Sequence, residues 1–180
     1  MSNLPVIEPA EAQGAAADLL AAVHKALGVT PNMTKVMANS PAVLKAYLEF
    51  SGALGAGALS AGVREAIALT VAQENACDYC LSAHTYIATN LAGLDESAAA
   101  DARRAKAADP RTDAALKLSV AILNTKGDLA EEDLKAARSA GLTDGEITEV
   151  IANVSLNVFT NYFNKAAGVA IDWPLVSHLG

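Results

Sequence analysis

The stretch "LSAGVREAIALTVAQENACDYCLSAHTYIATNLAG", residues 59–93, carries the strongest sequence signal for the fold. Ser60 is a residue type that caps helix N-termini, and the alanine-rich run after it favours helix over strand. Gly93 is a stop signal at the other end of the stretch. The stretch therefore predicts two consecutive helices, one through "AGVREAIALTVAQENA" and the next through "CDYCLSAHTYIATNLA".

Signals of the same kind divide the chain N-terminal to this stretch. A first helix is predicted over residues 9–27, and "GVTPNM" is predicted to turn because Pro31 disfavours helix at the residue before it. Short helical pieces are expected up to residue 39. Ser40 as a cap, with Pro41 at the first helical position, then predicts a helix that ends in the glycine-rich "SGALGAGALS".

Three further helices are predicted C-terminal to the stretch. Asp95 and Thr112 are expected to cap two of them, separated at "ADPRT". The last, "LTDGEITEVIANVSLNVFTNYFNKAAG", begins with a capping box in which Thr143 bonds the amide of Glu146, whose carboxylate reaches back. The tail "VAIDWPLVSHLG" is expected to be irregular.

The fold class that these segments predict is all-α. No segment alternates apolar and polar residues over the length of a strand. We expect about seven or eight helices in a single domain over residues 1–180. "LSAGVREAIALTVA" at Leu59 resembles "LTDGEITEVIANVS" at Leu142, which hints at two related helical halves, although shared capping chemistry would produce the same similarity.

Composition excludes several classes of protein. The chain is 52% hydrophobic, but no apolar run approaches the ~20 residues that span a bilayer. The start "MSNLPVIEPAEAQ" lacks a basic segment followed by an apolar one, so we expect no export signal and a cytoplasmic, non-membrane protein. A net charge of -7 with scattered Lys and Arg argues against nucleic-acid binding.

Both cysteines of the chain lie in one C-x-x-C, followed by a histidine. At about 100° per residue Cys77, Cys80 and His84 fall within about 60° of one another and form a column on one helix face. Cysteines at i and i+3 suit the Cα spacing of a disulfide, about 4.4–6.8 Å. A helix start stabilises a thiolate, and the histidine can exchange a proton with a thiol.

The residues alone leave three interpretations open. The three side chains can simply pack in the core, since cysteine is often a small buried hydrophobe. It can bind zinc through Cys77, Cys80 and His84 with Glu65 or a water as fourth ligand, although a second ligand pair and the H-x-E deaminase signature are missing. The third interpretation is a dithiol redox site, which needs no cofactor beyond the cysteines.

The spacing E-x11-C-x-x-C-x-x-x-H, matched by Glu65 and the column, resembles the alkylhydroperoxidase D-like branch of the carboxymuconolactone decarboxylase family. The closer likeness is to its peroxidase-related members. It extends through "PNMTKVMANSPAVLKAY" from Pro31, "VAQENACDYCLSAH" from Val71 and "FTNYFNKAAGVAIDWP" from Phe159, and so covers most of the chain.

The resemblance implies an all-helical homo-oligomer, a trimer or hexamer, with thiol-dependent peroxidase or disulfide reductase activity. By position, Cys77 and Cys80 would cycle between dithiol and disulfide, and His84 and Glu65 would form the proton relay. The substrate would be a hydroperoxide or a disulfide, and an external dithiol or protein reductant would restore the thiols. One departure is Tyr79, which stands where the founding peroxidase has a histidine and is a poor proton shuttle at neutral pH.

The role implied for Glu65 sets a condition on the fold. On one unbroken helix the carboxylate would lie about 120° from Cys77, so the role requires a bend near "QENA". Without the resemblance, an ion pair of Glu65 with Arg64 or Lys45 would be preferred. Two rival functions also remain: a decarboxylase- or isomerase-like pocket that uses Glu65 and His84, and a non-catalytic adaptor or redox sensor.

Overall fold

The computed structural model describes residues 2–179, and in that range every regular element is an α-helix. The all-α prediction is confirmed, and the nine helices are one more than the largest number expected. They are α1 Gly14–Leu27, α2 Asn32–Met37, α3 Pro41–Gly55, α4 Ala61–Glu74, α5 Asp78–Asn90, α6 Glu96–Ala102, α7 Pro110–Thr125, α8 Glu131–Ser139 and α9 Asp144–Ala167.

Three of the predicted helix caps are formed. The Ser60 side chain accepts a hydrogen bond from the amide of Val63, and Asp95 accepts one from the amide of Ala98. The capping box before α9 is complete, since Thr143 accepts from the Glu146 amide while the Glu146 carboxylate accepts from the Thr143 amide at 2.8 Å. Local sequence therefore sets the starts of α4, α6 and α9.

Other helix starts differ from the prediction. α7 begins at Pro110 with Asp109 as its cap, and Thr112, predicted to be the cap, donates its amide to that carboxylate. α1 begins at Gly14 because residues 9–11 form a turn instead. Ser40 precedes α3, but its side chain makes no capping bond. The short α8 was not predicted, since most of its residues are polar.

Helix α4 is the centre of the packing. Every residue from 66 to 72 is buried, and the helix packs against α5, α7 and α9. A helix that is apolar on all sides in this way belongs in a core. Glu65 stands immediately before the buried run, which fixes the position of its backbone.

Helix α9, 24 residues long, crosses the same core and buries polar side chains on one face. The "VSLNVF" segment lies inside it and is helical as predicted. Its buried amides are Asn153, Asn157, Asn161 and Asn164. Because buried amides require hydrogen-bond partners, this face specifies its neighbours more narrowly than an apolar face would.

The segment after α9, residues 169–179, contains no helix or strand, as predicted. None of the helices within residues 2–179 is both long enough and apolar enough to cross a bilayer. A single domain and two related halves stay predictions; the two similar stretches do both form capped helices, α4 and α9, that pack on each other.

The capping box gives a direct test of how α9 is stabilised. We expect Thr143→Ala to lower the free energy of unfolding by about 0.5–2 kcal/mol, because the first-turn amide loses its acceptor. Urea unfolding followed by circular dichroism measures the change. Thr148→Ala is the matched control, since that exposed hydroxyl bonds only the carbonyl of Asp144 on the same helix. Equal losses in the two variants would contradict the capping role.

Candidate active site

A sharp bend separates the helix of Glu65 from the helix of the cysteines. α4 ends at Glu74, and Ala76 takes a left-handed conformation with φ 47°. The bend is held by α9: Asn75 donates its side-chain amide to Asn161 at 3.0 Å, and Lys165 donates to the Asn75 carbonyl at 2.6 Å. The bend required near "QENA" is thus confirmed.

The two cysteines are joined by a disulfide at the start of α5. Their Cα atoms are 5.3 Å apart, within the spacing expected from the sequence. Cys77 is the N-cap residue, and its sulfur accepts a hydrogen bond from the Cys80 amide at 3.3 Å. Both residues are buried, with exposed fractions of 1% and 2%. The bonded pair therefore lies at the positive end of the helix dipole.

The bend brings Glu65 to His84, one helical turn beyond Cys80. Glu65 Oε2 and His84 Nδ1 are 2.8 Å apart, and the two side chains are 17% and 23% exposed. The alternative partners are engaged elsewhere, since Arg64 donates to the Leu59 carbonyl and Lys45 pairs with Glu49. All four predicted site residues thus lie in one region where α4 meets α5.

Tyr79, between the cysteines, has a structural contact. Its hydroxyl accepts a hydrogen bond from the amide of Met33 at 3.1 Å, which ties α5 to the start of α2. Burial raises the pKa of Tyr79 well above its ordinary value, and the bond from Met33 only partly opposes this. The phenol is therefore neutral across the physiological range.

Tyr47 on α3 is a neighbour of the site that sequence reasoning did not single out. Burial and, secondly, the negative charge of Glu65 raise the pKa of Tyr47 to about 12, although a hydrogen bond with Ser51 lowers it. A neutral phenol on a third helix therefore lies within electrostatic range of the Glu65 carboxylate. Tyr47 is the last residue of the stretch "PNMTKVMANSPAVLKAY" that carries part of the family resemblance. No spacing rule links it to Glu65.

Asn164 on α9 is a second residue that the sequence analysis missed. Its side-chain nitrogen lies 3.3 Å from the sulfur of Cys80 and 3.3 Å from the sulfur of Met33. The available signal was the repeat of asparagine at helical spacing in "NVSLNVFTNYFN", where apolar residues would be expected on a buried face.

The tail segment, residues 169–179, packs over the start of α5. Val176 donates its amide to the Ser82 hydroxyl at 2.9 Å, and Arg103 donates to the Ser177 carbonyl at 2.6 Å. His178 bonds Asp78 twice, through its backbone amide and through Nδ1, each at 2.8 Å. Because Asp78 is the first residue of α5, the tail is anchored beside Cys77.

The disulfide bears on the zinc interpretation of the same column. With the sulfurs of Cys77 and Cys80 bonded to each other, no three His, Cys, Asp or Glu side chains in the part of the chain described are grouped so that they could hold a metal ion. The arrangement shown is a disulfide with an acid–imidazole pair beside it.

Known protein families and solved structures give independent information about this chain. The sequence profile of the carboxymuconolactone decarboxylase family matches residues 41–125, which include Glu65, both cysteines and His84. Over these residues, just under half of the chain, the sequence is similar to this family. None of the proteins with curated descriptions matches it.

Solved structures of family-like proteins have the same fold. An alkylhydroperoxidase D core, described as an uncharacterized peroxidase-related protein from Ralstonia eutropha JMP134, is 25% identical with TM-score 0.85, over 95% of this chain and 92% of that chain. An uncharacterized peroxidase-related protein from Silicibacter sp. TM1040 is 26% identical with TM-score 0.81, over 93% and 88%.

The debrominase Bmp8 is also similar, at 21% identity and TM-score 0.73, over 87% of this chain and 86% of that chain. At that identity the likeness concerns the fold alone. Family and neighbours together indicate an enzyme of the alkylhydroperoxidase D and carboxymuconolactone decarboxylase type.

The contact between Asp78 and the tail predicts a pH response. Burial acts to raise the pKa of Asp78, but the hydrogen bonds and charge of His178 outweigh it and hold the pKa below the ordinary 3.8. A depressed pKa in the folded state stabilises the anchored tail above pH 4, and this stabilisation is lost as pH falls through the folded pKa. We expect the tail to loosen only in acid.

Trp173, the single tryptophan of the chain, lies in the tail and reports this change by fluorescence. Between pH 6 and 2 the unmodified protein should show a transition that Asp78→Asn lacks. Asp144→Asn, at an exposed carboxylate paired with Arg138 far along the chain, should leave the transition unchanged. Identical titrations of Asp78→Asn and the unmodified protein would contradict the anchoring role.

Proposed function

We propose that this protein is a thiol-dependent oxidoreductase that reduces a hydroperoxide or a disulfide by cycling the Cys77–Cys80 pair. The observation that carries the proposal is the disulfide at the start of α5, one turn from a carboxylate–imidazole pair. Burial of both sulfurs favours small oxidants over protein surfaces.

The cycle begins with the reduced pair. A thiolate attacks the terminal oxygen of a hydroperoxide, forms a sulfenic acid and releases the alcohol after protonation. The second cysteine then attacks the sulfenic sulfur, water leaves, and the Cys77–Cys80 disulfide forms. The two electrons given to the peroxide are restored by an external dithiol, which is itself oxidised to a disulfide.

His84 and Glu65 serve proton transfer in this proposal. The carboxylate fixes His84 through Nδ1, so Nε2 exchanges protons with a thiol or a leaving oxygen. The pair spans two helices, which means that its geometry depends on the bend at Ala76. Tyr79 does not take part, because its hydroxyl is neutral and engaged by Met33.

The proposal also specifies the cofactor, the partners and the cellular location of the enzyme. No cofactor beyond the redox disulfide is invoked, and the partners are the oxidant and an external dithiol or protein reductant. The need for external reduced thiols supports a cytoplasmic location in this proposal, because thiols are kept reduced there. Nucleic acid and membrane have no part in the cycle.

Turnover tests the proposal directly. With a hydroperoxide and a panel of dithiol donors, we expect Cys77→Ser and Cys80→Ser to abolish turnover, since neither can close a disulfide. Glu65→Gln should lower the rate about 10²–10⁴-fold by weakening proton transfer. Ser155→Ala, an exposed hydroxyl on α9 bonded only to the Ile151 carbonyl, is the control and should retain full activity.

Titration of free thiols gives results that could contradict the proposed redox cycle. One equivalent of hydroperoxide should remove two free thiols from the reduced protein. Two thiols that persist would contradict the redox cycle, and a Cys80→Ser variant that keeps a non-redox activity would favour the decarboxylase-like use of Glu65 and His84. Stoichiometric oxidation without turnover by any donor would indicate a redox sensor.

We also propose that the chain assembles as a homo-oligomer, a trimer or hexamer. A stripe of exposed apolar side chains runs along the outer face of α9 at helical spacing, formed by Ile151, Phe159 and Tyr162. Exposed apolar patches of this kind mark interaction surfaces. The opposite face of the same helix supports the redox pair through Asn164.

Analytical ultracentrifugation tests the assembly at micromolar concentration. We expect an oligomer for the unmodified chain and dissociation in the double variant Phe159→Glu, Tyr162→Glu, because two charges would be buried in the interface. Lys135→Glu, on the exposed face of α8, should leave the mass unchanged. A monomeric unmodified chain would contradict the proposal.

A further inference from the structure

We infer that Asn164 is a catalytic residue that stabilises the thiolate of Cys80 through its side-chain N–H. The inference rests on the proposed redox cycle, because a thiolate forms only when the disulfide is opened. It assigns a role to a residue on α9, a helix that carries none of the four residues predicted from the sequence.

The orientation of the Asn164 amide follows from its neighbours. The two atoms that face its nitrogen at 3.3 Å are the sulfurs of Cys80 and Met33. A disulfide sulfur and a thioether sulfur carry no hydrogen, so both can only accept. The NH₂ group, and not the carbonyl oxygen, must therefore point at the redox pair.

The rest of the amide shows that packing alone does not explain this residue. Asn164 is 4% exposed, and its side-chain oxygen is buried without a hydrogen-bond partner in residues 2–179. A buried unpaired oxygen is destabilising, and a leucine of similar size would avoid it. The hydrogen bond from the Asn164 nitrogen to the Cys80 sulfur offsets this cost. That bond is strongest when the sulfur is negatively charged.

The position of Asn164 is fixed by its surroundings. The neighbouring Lys165 and, one turn earlier, Asn161 both bond Asn75 in the bend before Cys77. The backbone carbonyl of Asn164 also accepts from the amide of Val169, where α9 ends. The donor is thus tied to the same bend that positions the cysteines.

The two sulfurs receive their donors from different sources. Cys77 accepts from the backbone amide of Cys80 within α5, whereas Cys80 accepts from a side chain on another helix. When the thiolate of a dithiol donor bonds to Cys77, the S–S bond breaks and its electron pair leaves on Cys80. Asn164 stabilises that leaving thiolate, and the second donor thiol then releases Cys77, which completes a two-electron reduction.

The pKa of Cys80 measures this role without any turnover. In a Cys77→Ser background the thiol pKa is obtained from the pH dependence of alkylation by iodoacetamide. We expect Asn164→Leu to raise it by about 1–2 units, the effect of losing one hydrogen bond to a charged group. Asn164→Asp should raise it further because a carboxylate repels the thiolate, and Asn164→Ser, which keeps a donor, should raise it least.

Asn157→Leu is the matched control, since this equally buried amide on α9 bonds the Asn153 carbonyl and no sulfur. It should leave the Cys80 pKa unchanged. With Cys77 present, Asn164→Leu should also make the disulfide harder to reduce, by about 30 mV for each unit of pKa at a pH above both values.

An unchanged pKa in Asn164→Leu would overturn the inference. If that variant does not fold, the order of the Asp and Ser variants decides, and an Asp variant with a pKa no higher than that of the Ser variant would overturn it. A wild-type chain without turnover but with the expected pKa order would contradict the proposed function alone. Normal turnover with no pKa change would contradict only the role of Asn164.

Discussion

The bend between α4 and α5 is the constraint on which the site depends. Without it, Glu65 and the cysteines would lie on different sides of one continuous helix. The bend places Ala76 in a left-handed conformation, which a residue with a Cβ adopts only at a cost of about 1–2 kcal/mol. Hydrogen bonds between Asn75 and α9 offset that cost, so the geometry of the site is determined as much by α9 as by the helices that carry it.

This dependence gives a physical reason for the buried amides of α9. An apolar face would pack well against α4 and α5 but would accept more than one alignment of the bend. Asn161 bonds the bend and Asn164 contacts the sulfur of Cys80, so each amide selects one arrangement. Within residues 2–179, the side-chain nitrogen of Asn161 and the side-chain oxygen of Asn164 have no hydrogen-bond partner, so this selectivity comes at some expense of stability.

Much of the fold could be predicted because its signals are local. Ser60, Asp95 and Thr143 cap helices with side chains that act within three residues. The predicted start of α7 was wrong because Asp109 and Thr112 are both good caps, and the proline between them, at the first helical position, favours the earlier one. α8 was missed since its pattern is mostly polar.

The residues of the site also divide into those that local spacing predicts and those that it does not. The column of Cys77, Cys80 and His84 follows from spacing on one helix, whereas Glu65 needed both a bend and a family resemblance. No local pattern shows which distant residue a side chain contacts, even where, as for the repeated asparagines of α9, the pattern marks the side chain as unusual. The asparagine of α9 lies 84 residues from the sulfur it contacts, and the histidine of the tail lies 100 residues from the aspartate it bonds.

The burial of α4 has a consequence for how this chain can change over time. Seven consecutive buried residues, 66–72, lie in a helix that packs against four others, α5, α6, α7 and α9, so any change of volume there requires matching changes on several surfaces at once. Glu65 directly precedes that run, so its backbone is held in place by the same packing. Sequence change is therefore easiest in peripheral segments such as α8, while the central helix keeps the Glu65 side chain beside His84.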